Sequence, residues 1–382
     1  MAAVEEGDLE EVRRELEVPG VDVNEGHAAG RTPLLTSCAS GFVEVVSLLL
    51  RAPGVDVNLA SKDGKTPLYW ASCNGHSEVV SLLLGAPGID VNRGDQDGWT
   101  PLHLACTKGD AGVVSLLLGV AGIDVNPVND EGQTPLFKAS FQGHPEVVSL
   151  VLAAPGIDVN HSDERERTPL FIASRTGHSE VVSLLLAAPG IDVGRANDDL
   201  MTPLWGASFV GHAEVVSRVL AAPGIDVNES AADGQTPLVA ASSEGHAEVV
   251  SLLLGAPGID VKRVGAKGLT ALCCASEKGH AELVSLLLGA PGIRVLRADR
   301  EGITAMDVVK NKDVLVLLEE VVAIKETFRV LVLALALYGV PRAQAADLAM
   351  RGLPHEKAKA MAARMRDTWP AFRPEGVSQG TT

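Results

Sequence analysis

Between Thr66 and Asn92 the apolar positions fall in two short bursts. In TPLYWASCNG, Leu68 and Ala71 open a stripe at helical spacing. In SEVVSLLL, Val79, Val80, Leu83 and Leu84 fall at i, i+1, i+4 and i+5, which predicts one buried helix face. Ile89-Asp90-Val91-Asn92 then alternates, which predicts an extended piece, and Asp97-Gly98 supplies turn chemistry. The punctuation is equally regular. Thr66 is placed to N-cap the first helix with Pro67 in its first turn, where the missing N–H costs nothing. Gly75 can end that helix in the left-handed conformation, His76-Ser77-Glu78 opens the second, and Pro87-Gly88 stops it.

The same punctuation recurs along the chain. The Thr stands at 32, 66, 100, 134, 168, 202, 236, 270 and 304, a constant step of 34 residues. A fixed period of that size predicts a solenoid of stacked supersecondary units rather than one core. Residues 2–24 match the back half of a unit, with Gly7 before Gly41 and Pro19 to Asn24 before Pro53 to Asn58. Arg14 and Glu15 stand where the next copy has Leu48 and Leu49, so residues 1–30 are expected to be a cap with a polar outer face. Eight units follow over 31–298. Glu166 and Leu200 replace the turn Gly in two of them, Gly194 replaces an Asn, and Ala271 replaces a Pro. A degenerate ninth copy, 299–320, lacks the Gly-His and reads as the second cap. Residues 321–370 read as a helical extension, with an all-round apolar run at Val330–Leu337 and helices expected over Pro341–Met350 and Pro354 to about Trp369. Residues 371–382 read as a frayed tail.

The motif TPLxxAxxxGHxEVVxLLL resembles the ankyrin repeat, and Thr100-Pro101-Leu102-His103-Leu104-Ala105 comes nearest to that family's TPLHxA. The resemblance covers about residues 2–320. It implies an all-α solenoid with a β-hairpin loop in each repeat, and a non-catalytic protein–protein interaction scaffold that binds its partner in a concave groove and at the hairpin tips. The copies here have one residue more than the family's usual ~33. That residue falls in Ala-Pro-Gly-Ile-Asp and should alter the hairpin's take-off without disturbing helix stacking.

Composition narrows the partner. At 46% hydrophobic residues the chain is not of disordered composition. Its net charge is −17; from Val321 onward nine Lys/Arg and five Asp/Glu give +4, so residues 1–320 carry −17 − 4 = −21. Such a surface repels nucleic acid and anionic membrane at long range, and neither is expected as a partner. The longest apolar run, Val330–Val340, is too short to span a bilayer, and the N-terminus lacks the features of a signal peptide. Five cysteines without a CxxC point to reduced thiols, four of them as core filler. A monomer in the cytoplasm or nucleus, with no metal and no cofactor, is expected.

His-x-Glu, as at His76/Glu78 and His144/Glu146, occurs six times in one column of the 34-residue repeat. A zinc deaminase site would need a PCxxC beside it, and none exists. The resemblance implies that this His makes hydrogen bonds between neighbouring repeats. The chain has no P-loop, GxGxxG, GxSxG, kinase set or calcium loop, so no enzyme is expected. Asn58, Asn92 and Asn160 match a position hydroxylated in some family members; hairpin geometry is the better account of them.

Partner information should lie in columns that the fold leaves free. Just after the turn Gly stand Arg31, Lys65, Trp99, Gln133, Arg167 and Met201; before the helix-ending Gly stand Phe141, Arg175, Phe209 and, one place on, Lys108 and Val210. Large apolar residues in these otherwise polar or small columns, Trp99, Phe141, Met201, Phe209 and Val210, are candidate partner contacts together with the cations Lys108 and Arg175. With adjacent first helices roughly 10 Å apart, Phe141 and Phe209 are expected to flank Arg175 across about 20 Å. Tyr69, His103, Phe137, Phe171 and Trp205, directly after Thr-Pro-Leu, are expected to be packed. An alternative function is an adaptor that captures a substrate with the repeats and recruits an enzyme, such as a ubiquitin ligase, through residues 321–370.

Overall fold

The computed structural model describes residues 2–27, 29–265, 268–298 and 302–337, with side chains omitted for 2 and 325–337. The expected helices at Pro341–Met350 and Pro354–Trp369, and the frayed end, lie outside these residues. The chain divides into two compact units, Met1–Asp198 and Asp199–Thr382.

In the first unit, α1 (Ala2–Glu6) and α2 (Leu9–Leu16) precede five helix pairs. These are α3 (Pro33–Ser40) with α4 (Val43–Leu50), α5 (Pro67–Asn74) with α6 (Ser77–Leu84), α7 (Pro101–Lys108) with α8 (Ala111–Leu118), α9 (Pro135–Gln142) with α10 (Pro145–Leu152), and α11 (Pro169–Thr176) with α12 (Ser179–Leu186). In the second unit the pairs are α13 (Pro203–Val210) with α14 (Ala213–Leu220), α15 (Pro237–Glu244) with α16 (Ala247–Gly255), and α17 (Ala271–Lys278) with α18 (Ala281–Gly289). α19 (Lys312–Leu337) follows. Within each unit first helices pack on first helices and second on second. α19 runs through 320/321 without a break.

The termini of the first helices are built as their residues dictate. In all eight, the Thr hydroxyl accepts the backbone N–H three residues on, as Thr66 does from Tyr69 at 3.1 Å. The closing Gly is left-handed, φ 76° at Gly75. Val79, Val80 and Leu83 of α6 are fully buried as expected, whereas Leu84 is only half-buried. A two-pair stack covers 3.6-period positions i, i+1 and i+4, and i+5 turns toward the surface. α2 buries only Val12, which leaves a polar outer face.

The alternating Ile-Asp-Val-Asn piece is not a strand. Among the described residues the only β pairing is a single bridge, Val264 to Thr270. Asp90 Oδ1 instead accepts the Asn92 N–H at 3.1 Å, folding the piece into an Asx turn. The hairpin closes on one bond per copy, such as Asp95 N–H to Trp99 O at 3.0 Å. A second reaches the preceding tip, as Gln96 N–H does to Asp63 O at 3.3 Å. Where Glu166 and Leu200 replace Gly they keep left-handed φ values of 55° and 57°, a conformation that costs a non-Gly residue about 1–2 kcal/mol.

The turn frees the Asn side chain for the next copy. Asn92 Nδ2 donates to Gly122 O at 2.8 Å while its Oδ1 accepts the Asp124 N–H at 2.9 Å. Asn24, Asn58, Asn126 and Asn160 do the same in the first unit, and Asn228 does so in the second. The lengthened Pro-Gly-Ile-Asp loop thus presents one carbonyl and one N–H to each Asn, so both amide ends of Asn58, Asn92 and Asn160 are engaged by hairpin geometry.

Candidate partner-binding face

Each copy presents its hairpin tip and the outer turn of its first helix on one face, and the residues directly behind that face are locked. Tyr69, His103, Phe137, Phe171 and Trp205 are all buried, as their column predicted. His103 closes a capping box: Nδ1 accepts the Thr100 N–H at 3.2 Å, so Nε2 carries the proton and donates to Gln133 O at 2.9 Å. Burial is the main force holding its pKa down at about 4, and Lys138 lowers it further against the hydrogen bond to Gln133. Trp205 reproduces the outward bond with a different ring, its Nε1–H donating to Gln235 O at 3.0 Å.

The Gly-His pairs are structural. His76, His144, His178 and His246 point Nε2 at the carbonyls of Ala39, Thr107, Phe141 and Phe209, one copy back, at 3.0–3.2 Å. The imidazole lies over a Gly of the earlier copy, Gly143 in the case of His178, where a Cβ would meet the ring at 2.3 Å. In copy three, where Asp110 replaces the His, its carboxylate caps α8 through the Val113 N–H at 3.0 Å.

Of the seven candidate contacts, Trp99, Lys108, Phe141 and Arg175 belong to the first unit. Trp99 is half-buried at its hairpin tip, edge-on to His103 at 5.9 Å. Phe141 is 40% exposed, and Lys108 and Arg175 are exposed. Trp99 and Phe141 are joined by a residue outside the candidate set. Lys138 Nζ lies 4.8 Å from the Trp99 ring centroid and 5.6 Å from that of Phe141. Its pKa is lowered, chiefly by burial. A matching cluster sits two copies earlier, where Arg31 and Lys65 lie 5.3 and 5.4 Å from the Trp70 ring and Tyr69 meets Trp70 edge-on at 5.8 Å.

Met201, Phe209 and Val210 belong to the second unit. Phe209 stacks on Trp205 with centroids 5.1 Å apart and planes 8° from parallel. It and Met201 are partly buried against Trp205, Ala231 and Ala240, and Val210 is 40% exposed. The large residues at 201 and 209 therefore already have an intramolecular partner in the Trp205 ring.

Lys138 and Trp70 share a column whose variety, Thr36, Trp70, Leu104, Lys138, Ile172, Gly206, was itself a signal. It lies three residues before the Phe141 column, one helical turn away on the same face. The cysteines are elsewhere: all five are free, four are buried, and burial pushes the Cys274 thiol up to about 12.

Ankyrin repeats (3 copies) is the family model that matches, over residues 1–95, 87–163, 155–231 and 206–299. No curated protein matches the chain. Among solved structures, the ankyrin repeat domain of Bcl-3, a member of the IkappaB protein family, superposes with a TM-score of 0.53 at 28% identity. The match covers 59% of this chain and 100% of that one. Capped helix pairs, the Gly-His bonds between copies and the matched span agree: the chain belongs to the ankyrin repeat family, whose repeats are protein–protein interaction modules.

Proposed function

We propose that this chain is a non-catalytic scaffold that binds a partner protein through hairpin tips and first helices, with its principal contact in the first unit at Trp99, Lys138 and Phe141. The observation that carries the reading is the Lys138 ammonium held between two aromatic faces beside a Phe that is 40% exposed. Aromatic and cationic side chains on a rigid, half-desolvated site are the composition of binding hot spots. Lys108 and Arg175 flank this contact on α7 and α11. Rigid presentation is the mechanism: caps, Asn bonds and Gly-His bonds fix the face before the partner arrives, which lowers the ordering cost of association. Val210, with Met201 and Phe209 beside it, forms a separate contact on the second unit. Free cysteines support a reducing, cytoplasmic or nuclear setting.

The test compares proteins captured by the full chain with those captured by Trp99→Ala/Phe141→Ala and, separately, by Val210→Asp. Phe141 is exposed and Trp99 is half-buried at a hairpin tip outside the core, so the melting profile should stay close to the parent's. The expected outcome is that the double variant loses bound proteins the parent retains. Identical captured sets would refute the assignment.

A further inference from the structure

The recognition columns of the first unit carry a charge opposite to that of the chain. Copies one to five hold Arg31, Lys65, Lys108, Lys138, Arg167 and Arg175 in the four columns that line the face, and no Asp or Glu, on a chain of net charge −17. Lys65 pairs with Asp63 at 2.8 Å and Arg167 with Asp163. Arg31, Lys108, Lys138 and Arg175 have no carboxylate within ion-pair distance among the described residues.

The tip carboxylates nearest Lys138 and Trp99 are engaged by their own turns. Asp95 Oδ1 accepts the N–H groups of Asp97 and Trp99, and Glu131 Oε2 accepts from Gln133 Nε2 at 2.9 Å. Lys138 is consequently a half-buried ammonium that has lost much of its water; Glu131 attracts it from a distance, but no carboxylate is in direct contact with it among the described residues. A ligand carboxylate supplies what is missing, at a site where the desolvation cost has already been met by folding.

We propose that the first-helix face of the first unit receives an extended, acidic protein segment. One carboxylate meets Lys138 beside the Trp99/Phe141 corner, and another meets Arg31 over Trp70. The inference rests on the reading of this face as a partner surface and specifies its ligand. Trp70 and Lys138 occupy one column two copies apart, roughly 20 Å. An extended chain covers that distance in about six residues at ~3.3 Å each. The segment therefore carries acidic residues about six apart, with apolar or small residues between them. Nucleic acid has the same sign of charge but must approach a protein that is strongly acidic elsewhere, which disfavours it at long range.

Random dodecapeptides displayed on phage, panned on the full chain, test the proposal. Enriched sequences should be rich in Asp and Glu at a spacing of about six. As synthetic peptides they should bind at least about tenfold more weakly to Lys138→Met and to Arg31→Met. Lys278→Met, in an equivalent column of the second unit, should leave binding unchanged, and affinity should fall with added salt. Methionine keeps the aliphatic stem, so both variants retain their packing.

Enrichment without acidic bias, no enrichment, or equal binding by Lys138→Met overturns the proposal. So does tighter binding of an oligothymidylate than of the selected peptides, since the face would then read nucleic acid. If Trp99→Ala/Phe141→Ala loses its captured protein while the panning shows no acidic bias, the partner surface stands and only its assigned chemistry fails.

Discussion

His103 shows how one buried titratable group ties stability to pH in this fold. Its neutral tautomer is fixed by a donor at one end and an acceptor at the other: Thr100 N–H points at Nδ1, and Nε2–H points at Gln133 O. A second proton on Nδ1 would face an N–H instead of a lone pair, in a site that burial already makes hostile to charge. The folded pKa of about 4 lies below the ordinary histidine value of 6.5, so the unfolded chain binds the proton first as pH falls. The stabilisation is complete above about pH 6.5 and is lost progressively toward pH 4, amounting to about 3 kcal/mol. Urea midpoints measured from pH 7 to pH 4 should fall less steeply in His103→Gln than in the parent, whatever the variant's stability at neutral pH. Parallel slopes would show that His103 does not carry this linkage. The column position of His103 announced its burial. Its pairing with Gln133, 30 residues on, had no signal in the sequence.

At the scale of one repeat, caps and helix stops were legible because their signals are local: Thr66 bonds three residues away, and Gly75 needs only its own φ. The Ile-Asp-Val-Asn piece misled because alternation is also what an Asx turn produces when Val points inward and Asp and Asn point out. The contacts that decide between them lie 30 and 32 residues away, beyond any local pattern. Separation in sequence also hid Lys138, because one of its two aromatic neighbours, Trp99, belongs to the preceding copy.

The Asn bonds make a direct test of how copies are coupled. Asn92→Ala removes one donor and one acceptor at the loop of the next copy and should destabilise the first unit by about 1–2 kcal/mol, the net worth of two partly exposed hydrogen bonds. Asn92→Asp keeps the acceptor for the Asp124 N–H. Amide exchange should therefore quicken at Asp124 in the Ala variant and stay closer to the parent in the Asp variant. Equal exchange in all three would mean that the loop is held by its own turn.

For the whole molecule, the period of 34 fixes what kind of stability is available. Within each unit the helices of one copy pack on those of the next, so stability is a sum of copies and interfaces rather than of one core. A lesion in one copy should therefore divide the chain instead of lowering it uniformly. Leu83 is the place to make it, since its side chain is fully buried on α6, which packs against both α4 and α8. Leu83→Asp puts an unpaired charge into both interfaces at once, at a cost of about 3–5 kcal/mol. Leu84→Asp, half-buried, should cost much less. Hydrogen exchange in rising urea, read by mass spectrometry, separates the cases. In Leu83→Asp, peptides from copies one to three should open at lower urea than those from copies six to eight, giving two transitions in place of the parent's pattern. A single transition moved to lower urea along the entire chain would mean that coupling between copies exceeds the cost of the buried charge, and that the array behaves as one cooperative body despite its linear contacts.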